Sequence, residues 1–278
     1  MQTYIQAQPI GKLLDTAFRL YRANFWPITR ALAIMLVPVA LLQILFPNDG
    51  LWSTVRTFII QPVLLGVGTA SAVALYHGRP WTIGDAYRQA GKRYLSVMGS
   101  MMFIGLITLI PFTAIGFAAF FVNTLPDMLR WIGLGILGLL ACANVLFFST
   151  KYAVVTPAII GEEKRASDSM SRSWALATPH FWHTAGVAIT TSVLSLLFSV
   201  LPAYMFSWLT PSIYLTTLLP TLTLFIVLPF QTITITCLYY DLRIRSEGYD
   251  IELAAQGYDP TLDPAKLATL ADGAPRIN

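Results

Sequence analysis

Long apolar stretches alternate with short polar ones along nearly the whole chain. Six stretches have the length and character that a helix needs to cross the hydrocarbon of a bilayer, about 20 mostly apolar residues. They lie at roughly 28–46, 57–76, 95–122, 131–150, 184–206 and 212–238. In lipid the backbone must satisfy its own hydrogen bonds, so these stretches predict helices. Buried strands of a soluble protein would be far shorter. The expected fold is all-α: a polytopic six-helix membrane domain over residues 1–255. The tail at 256–278 has few large apolar residues and predicts disorder or weak helix.

A second pattern precedes each pair of spans. From Ile10 to Trp26, the residues Ile10, Leu13, Leu14, Ala17, Phe18, Tyr21 and Phe25 recur on one helical face. Lys12, Asp15, Arg19 and Arg22 lie largely off that face. The stretch from Thr82 to Leu95 opens on Thr82 and Asp85, the spacing of a capping box. The third segment, Ala166 to Trp182, carries Pro179, which predicts a break. The three align without gaps. Ala17-Phe18-Arg19 falls over Ala86-Tyr87-Arg88 and Ser173-Trp174-Ala175, and Phe25 over Tyr94 and Phe181. The implied unit, used three times, is an amphipathic interfacial helix followed by a transmembrane hairpin. Basic heads and aromatic bodies suit the headgroup level.

Pro38, Pro111, Pro202, Pro220 and Pro229 fall inside spans. Each removes an amide donor and tends to kink its helix. Such kinks shape the bundle or line a cavity. With Pro211 beside them, the last two spans are the expected place for a cavity. The runs Gly66, Gly68, Ala70, Ala72 and Gly133, Gly135, Gly138 predict close helix packing. Asn144 and Gln231 are expected to hydrogen-bond between helices, or to line a pathway.

Composition agrees with the pattern. Hydrophobic residues make up 55% of the chain and charged residues 12%, against about 25% charged in a soluble domain. The mean hydropathy is +0.62. The net charge of +4 sits beside apolar spans, which favours anionic lipid over nucleic acid as partner. All 18 basic residues but Arg56 and Arg130 fall on one side of the predicted topology. By the positive-inside rule both termini are then cytoplasmic, in a bacterial inner membrane. Cys142 and Cys237 lie in apolar stretches and predict no disulfide. Residues 1–9 lack the basic start and cleavage pattern of a signal peptide.

Signs of catalysis are few, and no cofactor is expected. His180-x-x-His183 has helical metal spacing, but two ligands alone make no site. Glu162-Glu163 reads as a solvated turn, because adjacent residues do not face each other on a helix. The six spans hold no Asp, Glu, Lys or His, and only Arg30 near the start of the first. Ion-coupled transporters keep ionisable groups at membrane depth. The candidate site is instead the basic side. There Arg19, Arg22, Arg88, Lys92, Arg93, Arg172, Arg243 and Arg245 could converge with Tyr21, Tyr94, Trp174 and Tyr240. Asp241 and Arg243 flank the last span and can pair with neighbouring segments. Guanidinium forks suit lipid phosphates or an acidic partner. Ordinary topology with an aromatic belt would give the same residues.

Three stretches carry a family resemblance. They are IGKLLDTAFRLYRANFWP at 10–27, VTPAIIGEEKRASDSMSRSWALATPHFWHTAGV at 155–187 and LYYDLRIRSEGYDIE at 238–252. Pro157, Glu162, Arg172, Ser173, Trp174 and Phe181 carry the middle motif, and Tyr240, Asp241, Arg243 and Gly248 the last. Over about 9–255 the chain resembles the membrane domain of some bacterial glycerophosphoryl diester phosphodiesterases and its stand-alone relatives. In the fused proteins a separate soluble barrel performs the hydrolysis, and such a barrel takes about 250 residues. Only 38 residues follow Tyr240, so the resemblance does not carry the phosphodiesterase activity to this chain. The expected function is a non-enzymatic scaffold or adaptor that binds anionic phospholipid or a protein partner. The alternatives are a permease or lipid translocator, and then a membrane-embedded lipid enzyme.

Overall fold

The computed structural model describes residues 6–45, 54–209 and 213–255. The expected tail at 256–278 lies outside the described residues, as does Pro211. Nine α-helices run in chain order among the described residues. They are α1 (Ile10–Leu45), α2 (Gln61–Tyr76), α3 (Ile83–Val122), α4 (Asp127–Lys151) and α5 (Val155–Gly161), then α6 (Ala166–Ala177), α7 (Phe181–Leu209), α8 (Ile213–Glu247) and α9 (Tyr249–Ala255). Six helical segments are long and apolar enough to cross a membrane, so this is a multi-pass membrane protein.

The three amphipathic segments join their spans in three ways, each with a local cause. In α1 the helix kinks at Asn24 (φ −121°, ψ 17°). Pro27 follows, with no N–H to give and a ring that clashes with the carbonyl four residues back. The Asn24 side chain donates to Leu20 O (3.0 Å) at the kink. The second segment opens on the expected capping box, with Thr82 and Asp85 exchanging backbone-to-side-chain hydrogen bonds of 3.2 Å. It then continues unbroken into its span, because α3 holds no proline before Pro111. The third is a helix of its own, α6, which ends before Pro179, and α7 begins at Phe181. The aligned register survives in the packing. Ala17, Ala86 and Ser173 are all buried, as are Ile28, Val97 and Thr184, and then Ala31, Ser100 and Val187.

Thr82 tests the local rule. Thr82→Ala removes one half of the capping box and is expected to cost about 1 kcal/mol. Hydrogen exchange of the α3 first turn should rise while the rest of the bundle keeps its protection.

At the centre stand α2 and α8, packed on each other and ringed by α1, α3 and α7. Small residues permit this. A Cβ on Gly66 would lie 3.0 Å from Ala90 Cβ on α3, and one on Gly68 would lie 2.8 Å from Thr232 Cγ2 on α8. Just before α2 the chain makes a π-helical turn, Arg56–Ile60, closed by Gln61 N–H to Arg56 O. The turn leads into Pro62, which has no N–H to offer. Main packing of α1 is along α8, with smaller contact on α2.

The α3–α4 hairpin is peripheral. Only Ala86, Ala90, Val97 and Ser100 of α3 and Thr150 and Lys151 of α4 are buried. A Cβ on Gly133 would strike Val122 at 2.6 Å, so the expected close packing holds there. Gly135 and Gly138 face open space instead. Apolar side chains such as Phe117, Phe120 and Leu139 point outward, where lipid would cover them. Asn144 bridges the hairpin as expected, donating to Thr108 O at 3.4 Å.

Candidate functional site at the basic end of the bundle

Short helices α5 and α6 fold back against the ends of α2, α3 and α8. Every residue of α5 that faces this core, from Val155 through Ile160, is apolar and buried or nearly so, except Thr156. That seating fixes Glu162, the residue after α5. The sequence reads Glu162-Glu163 as a solvated turn, and the structure corrects half of this. Glu163 stays out, with a side chain 67% exposed and φ at +56°. The Glu162 side chain is only 14% exposed.

Glu162 is the hub of an ion-pair network. Arg172, from α6, donates to Glu162 Oε1 through Nη2 (3.0 Å) and Nε (3.3 Å). The same guanidinium reaches Glu247 at the end of α8, with Nη2 to Oε2 at 2.6 Å. Tyr239 donates its hydroxyl to Glu162. Lys164 Nζ lies 2.6 Å from the other oxygen. Arg243 Nε sits 3.5 Å from Glu162 and 3.2 Å from Glu247. Burial alone would raise the Glu162 pKa. The hydrogen bonds from Lys164, Tyr239 and Arg172 outweigh it and hold the carboxyl at about 2. For Arg172, burial works against the charge, but Glu247 and Glu162 overcome it and raise its pKa. Both partners are therefore ionised across the physiological range.

Beside this network stands a ladder of rings. Tyr76 stacks on Tyr240 (centroids 4.4 Å) and Tyr240 on Tyr249 (5.5 Å), and the Arg243 guanidinium caps the Tyr249 face at 4.0 Å. Gly248, at φ +67°, turns the chain after α8 so that Tyr249 can return over Tyr240. His77 edges onto Tyr240 and meets the Tyr249 hydroxyl at 3.0 Å. Burial lowers the His77 pKa, against the opposing backbone contact to Val73 O, and so favours the neutral ring.

A third arrangement ties the N-terminal segment to α7 and α8. Asp241 is 2% exposed. It accepts from Gln8 N–H (2.6 Å) and Arg245 Nε (2.7 Å). His183 Nε2 approaches to 2.9 Å, though off the line of a hydrogen bond. Arg245 also donates to Gln8 O. The pairing expected of Asp241 and Arg243 with neighbouring segments is therefore present, but each residue has its own partners. These contacts also put the start of α1 and the end of α8 at one end of the bundle.

Lys151 makes the fourth. Its residue exposure is 6%. The ammonium lies 4.7 Å from the Trp174 ring centroid, 5.6 Å from Phe181 and 5.7 Å from Phe147. It donates to Thr178 Oγ1 at 2.8 Å. Cation–π attraction of this kind strengthens when the cation is desolvated. Trp174, a predicted site residue, thus serves the lysine and remains 38% exposed.

The single convergent basic patch is not what the fold builds. Arg172 and Arg243 are neutralised by acids, Arg93 pairs with Glu163 at 2.6 Å, and Arg19 pairs with Asp15 at 3.3 Å. Tyr240 is buried in the ladder. Arg22, Arg88 and Lys92 remain exposed, with no ion pair among the described residues. Near them Phe18 is 48% exposed, Trp26 66% and Leu95 72%. Glu162, Glu247, Tyr239, His183 and Lys151 were missed as site residues. A Phe147–Lys151 i, i+4 pair at a span's end was a visible signal for the last. For the acids the local pairs, Arg243–Glu247 and Glu162–Lys164, were legible, but the bonds from Arg172 to Glu247 and from Tyr239 to Glu162 cross more than 70 residues and gave no signal. Among the described residues, no group of three or more His, Cys, Asp or Glu could hold a metal ion. Comparison of this chain with protein-family models, with curated proteins and with solved structures finds no match.

Proposed function

We propose that this chain is a non-enzymatic scaffold of a bacterial cytoplasmic membrane, a relative of the phosphodiesterase membrane domain. Its basic end would face the cytoplasm and hold anionic phospholipid. The observation that carries this reading is the division among the basic residues. One set, Arg172, Arg243 and Lys164, is paired with Glu162 and Glu247 and joins α6 to α8. The other set, Arg22, Arg88 and Lys92, faces outward beside exposed apolar side chains. Cations flanked by apolar groups are the chemistry of an anionic bilayer surface. The ionised and fully engaged Glu162 offers no free base or acid, which favours a scaffold over a lipid enzyme. A second reading, passage of an uncharged amphiphile, draws on one observation, a hydroxyl-lined cavity between the helices.

The test is lipid retention. Near an anionic surface each basic side chain contributes about 1 kcal/mol. Replacing Arg22, Arg88 and Lys92 together with Gln should therefore weaken phosphatidylglycerol retention roughly 100-fold. Native mass spectrometry of protein released from mixed-lipid nanodiscs gives the readout. Equal retention by the variant and the wild type would sink the reading.

A further inference from the structure

Membrane-depth helices of this chain carry many hydroxyls, and most are spent on their own backbone. Thr191 donates to Val187 O (2.8 Å), and Thr232 donates to Leu228 O (3.0 Å) and Pro229 O (3.1 Å). Such a hydroxyl has given up its proton, so what it offers a neighbour is a lone pair. Thr191 and Thr232 lie together on the wall of one cavity of about 230 Å³, between α2, α4, α5, α7 and α8.

The cavity has a buried back and an open mouth. Thr69, Thr191 and Thr232 at the back are buried. Ser149, Ser192 and Gln231 at the rim are exposed. Gln231 lies eight residues before Tyr239, about 12 Å along the helix from the ion-pair network. The mouth opens between α4, α7 and α8, and Ser149, Ala153 and Thr156 set it beside the turn from α4 into α5, toward the basic end of the spanning helices. The sequence expects Gln231 to bond across helices or to line a pathway. The structure gives its side chain no hydrogen-bond partner among the described residues, and sets it at the rim. An amide with no partner is costly in hydrocarbon, where no water supplies one.

What fits can be read from the wall. No Asp, Glu, Lys, Arg or His lines the cavity, so a charged headgroup would enter without a counter-charge. At the back wall Thr191 and Thr232 offer acceptors and ask for a donor. The Gln231 amide offers both N–H donors and a carbonyl. The complement is an uncharged group with a hydroxyl and a carbonyl close together. The volume suits such a head, with the chains left outside in the bilayer.

We infer that this cavity is a lateral binding site for the head of a neutral, hydroxyl-bearing lipid of the diacylglycerol class. The free hydroxyl donates to the Thr191 and Thr232 oxygens, and Gln231 donates to an ester carbonyl. This site is separate from the anionic-lipid surface and does not depend on it.

The test uses the full chain in phosphatidylcholine nanodiscs doped with diacylglycerol, and counts lipid retained per protein by native mass spectrometry. Two variants at exposed rim positions, Gln231→Leu and Ser192→Ala, leave the packed core untouched. Thr191→Val removes an acceptor from the back, and its melting curve reports on folding. The wild type should retain about one diacylglycerol. Gln231→Leu combined with Thr191→Val should retain at least tenfold less, while the Arg22/Arg88/Lys92→Gln variant retains as much as the wild type. Equal retention by the cavity variant and the wild type overturns the site, and so does no retention by the wild type. Binding of free glycerol with no lipid retained overturns the lipid assignment and leaves a polyol site in its place.

Discussion

Glu162→Gln is expected to be the most damaging single substitution at the basic end. The side chain keeps its shape but loses its charge, and Arg172 and Arg243 must then share Glu247, with only the more distant Glu252, 3.8 Å from Arg243, beside it. Tyr239 can still donate to the amide oxygen, but Lys164 loses its salt bridge. Removing one member of a buried ion pair typically costs about 3–5 kcal/mol. The partial exposure of this network brings the expectation to about 2–3 kcal/mol. The pH dependence separates this cause from a general loss of packing. The wild-type carboxyl is lowered from 4.5 to about 2. A depressed acid contributes stability above its unfolded pKa and loses it as pH falls toward the folded value. The difference between wild type and variant should therefore be full at pH 7 and shrink between about pH 4.5 and pH 2. Unfolding midpoints in mixed detergent at both ends of that range decide the matter. A variant that unfolds with the wild type at pH 7 removes Glu162 from its central place.

The second large effect is expected at Gly68. Two terms oppose each other there. Alanine is a better helix former than glycine by about 1 kcal/mol. Against that, the new methyl would sit 2.8 Å from Thr232 Cγ2 and 3.1 Å from its Oγ1. Thr232 cannot easily turn aside. It is β-branched, and its hydroxyl is bonded to Leu228 O and Pro229 O. Overpacking of this kind costs about 1–3 kcal/mol, so Gly68→Ala should be a net loss. Thr232→Ser removes the methyl in the way and should recover most of it in the double variant. Gly91→Ala is the control, since nothing lies within 4 Å of a Cβ there. It should be neutral or slightly stabilising. If Gly68→Ala behaves like Gly91→Ala, the close contact of α2 with α8 is wrong.

The two predictions differ in how visible their causes were. Small residues at Gly66 and Gly68 announce a close approach, because a helix packs no nearer than its side chains allow. The same argument applied to Gly135 and Gly138 finds open space. Glycine in a span permits contact but names no partner. Glu162 shows the converse. Its charge and its neighbour Glu163 suggest water, and no local rule distinguishes the two. The turn at Glu163 and the buried α5 send one carboxylate inward and the other outward.

The sequence by itself determined what depends on short-range physics. Apolar length set the six spans, and the backbone's need for hydrogen bonds in lipid made them helices. The Thr82–Asp85 spacing set a helix start, and Pro179 set a helix end. The aligned segments carried their register into the packed bundle, because burial at Ala17, Ala86 and Ser173 repeats with helical period. Only the tertiary structure decided which charges meet across helices. Asp241 finds Gln8 across 233 residues, and Arg172 finds Glu247 across 75. It also decided that Gln231 faces a cavity and Gln43 a partner, since Gln43 accepts from Thr221 on α8 while Gln231 has no hydrogen-bond partner among the described residues. Coulomb and hydrogen-bond energies depend on distance in space, and helix order around α2 and α8 sets those distances.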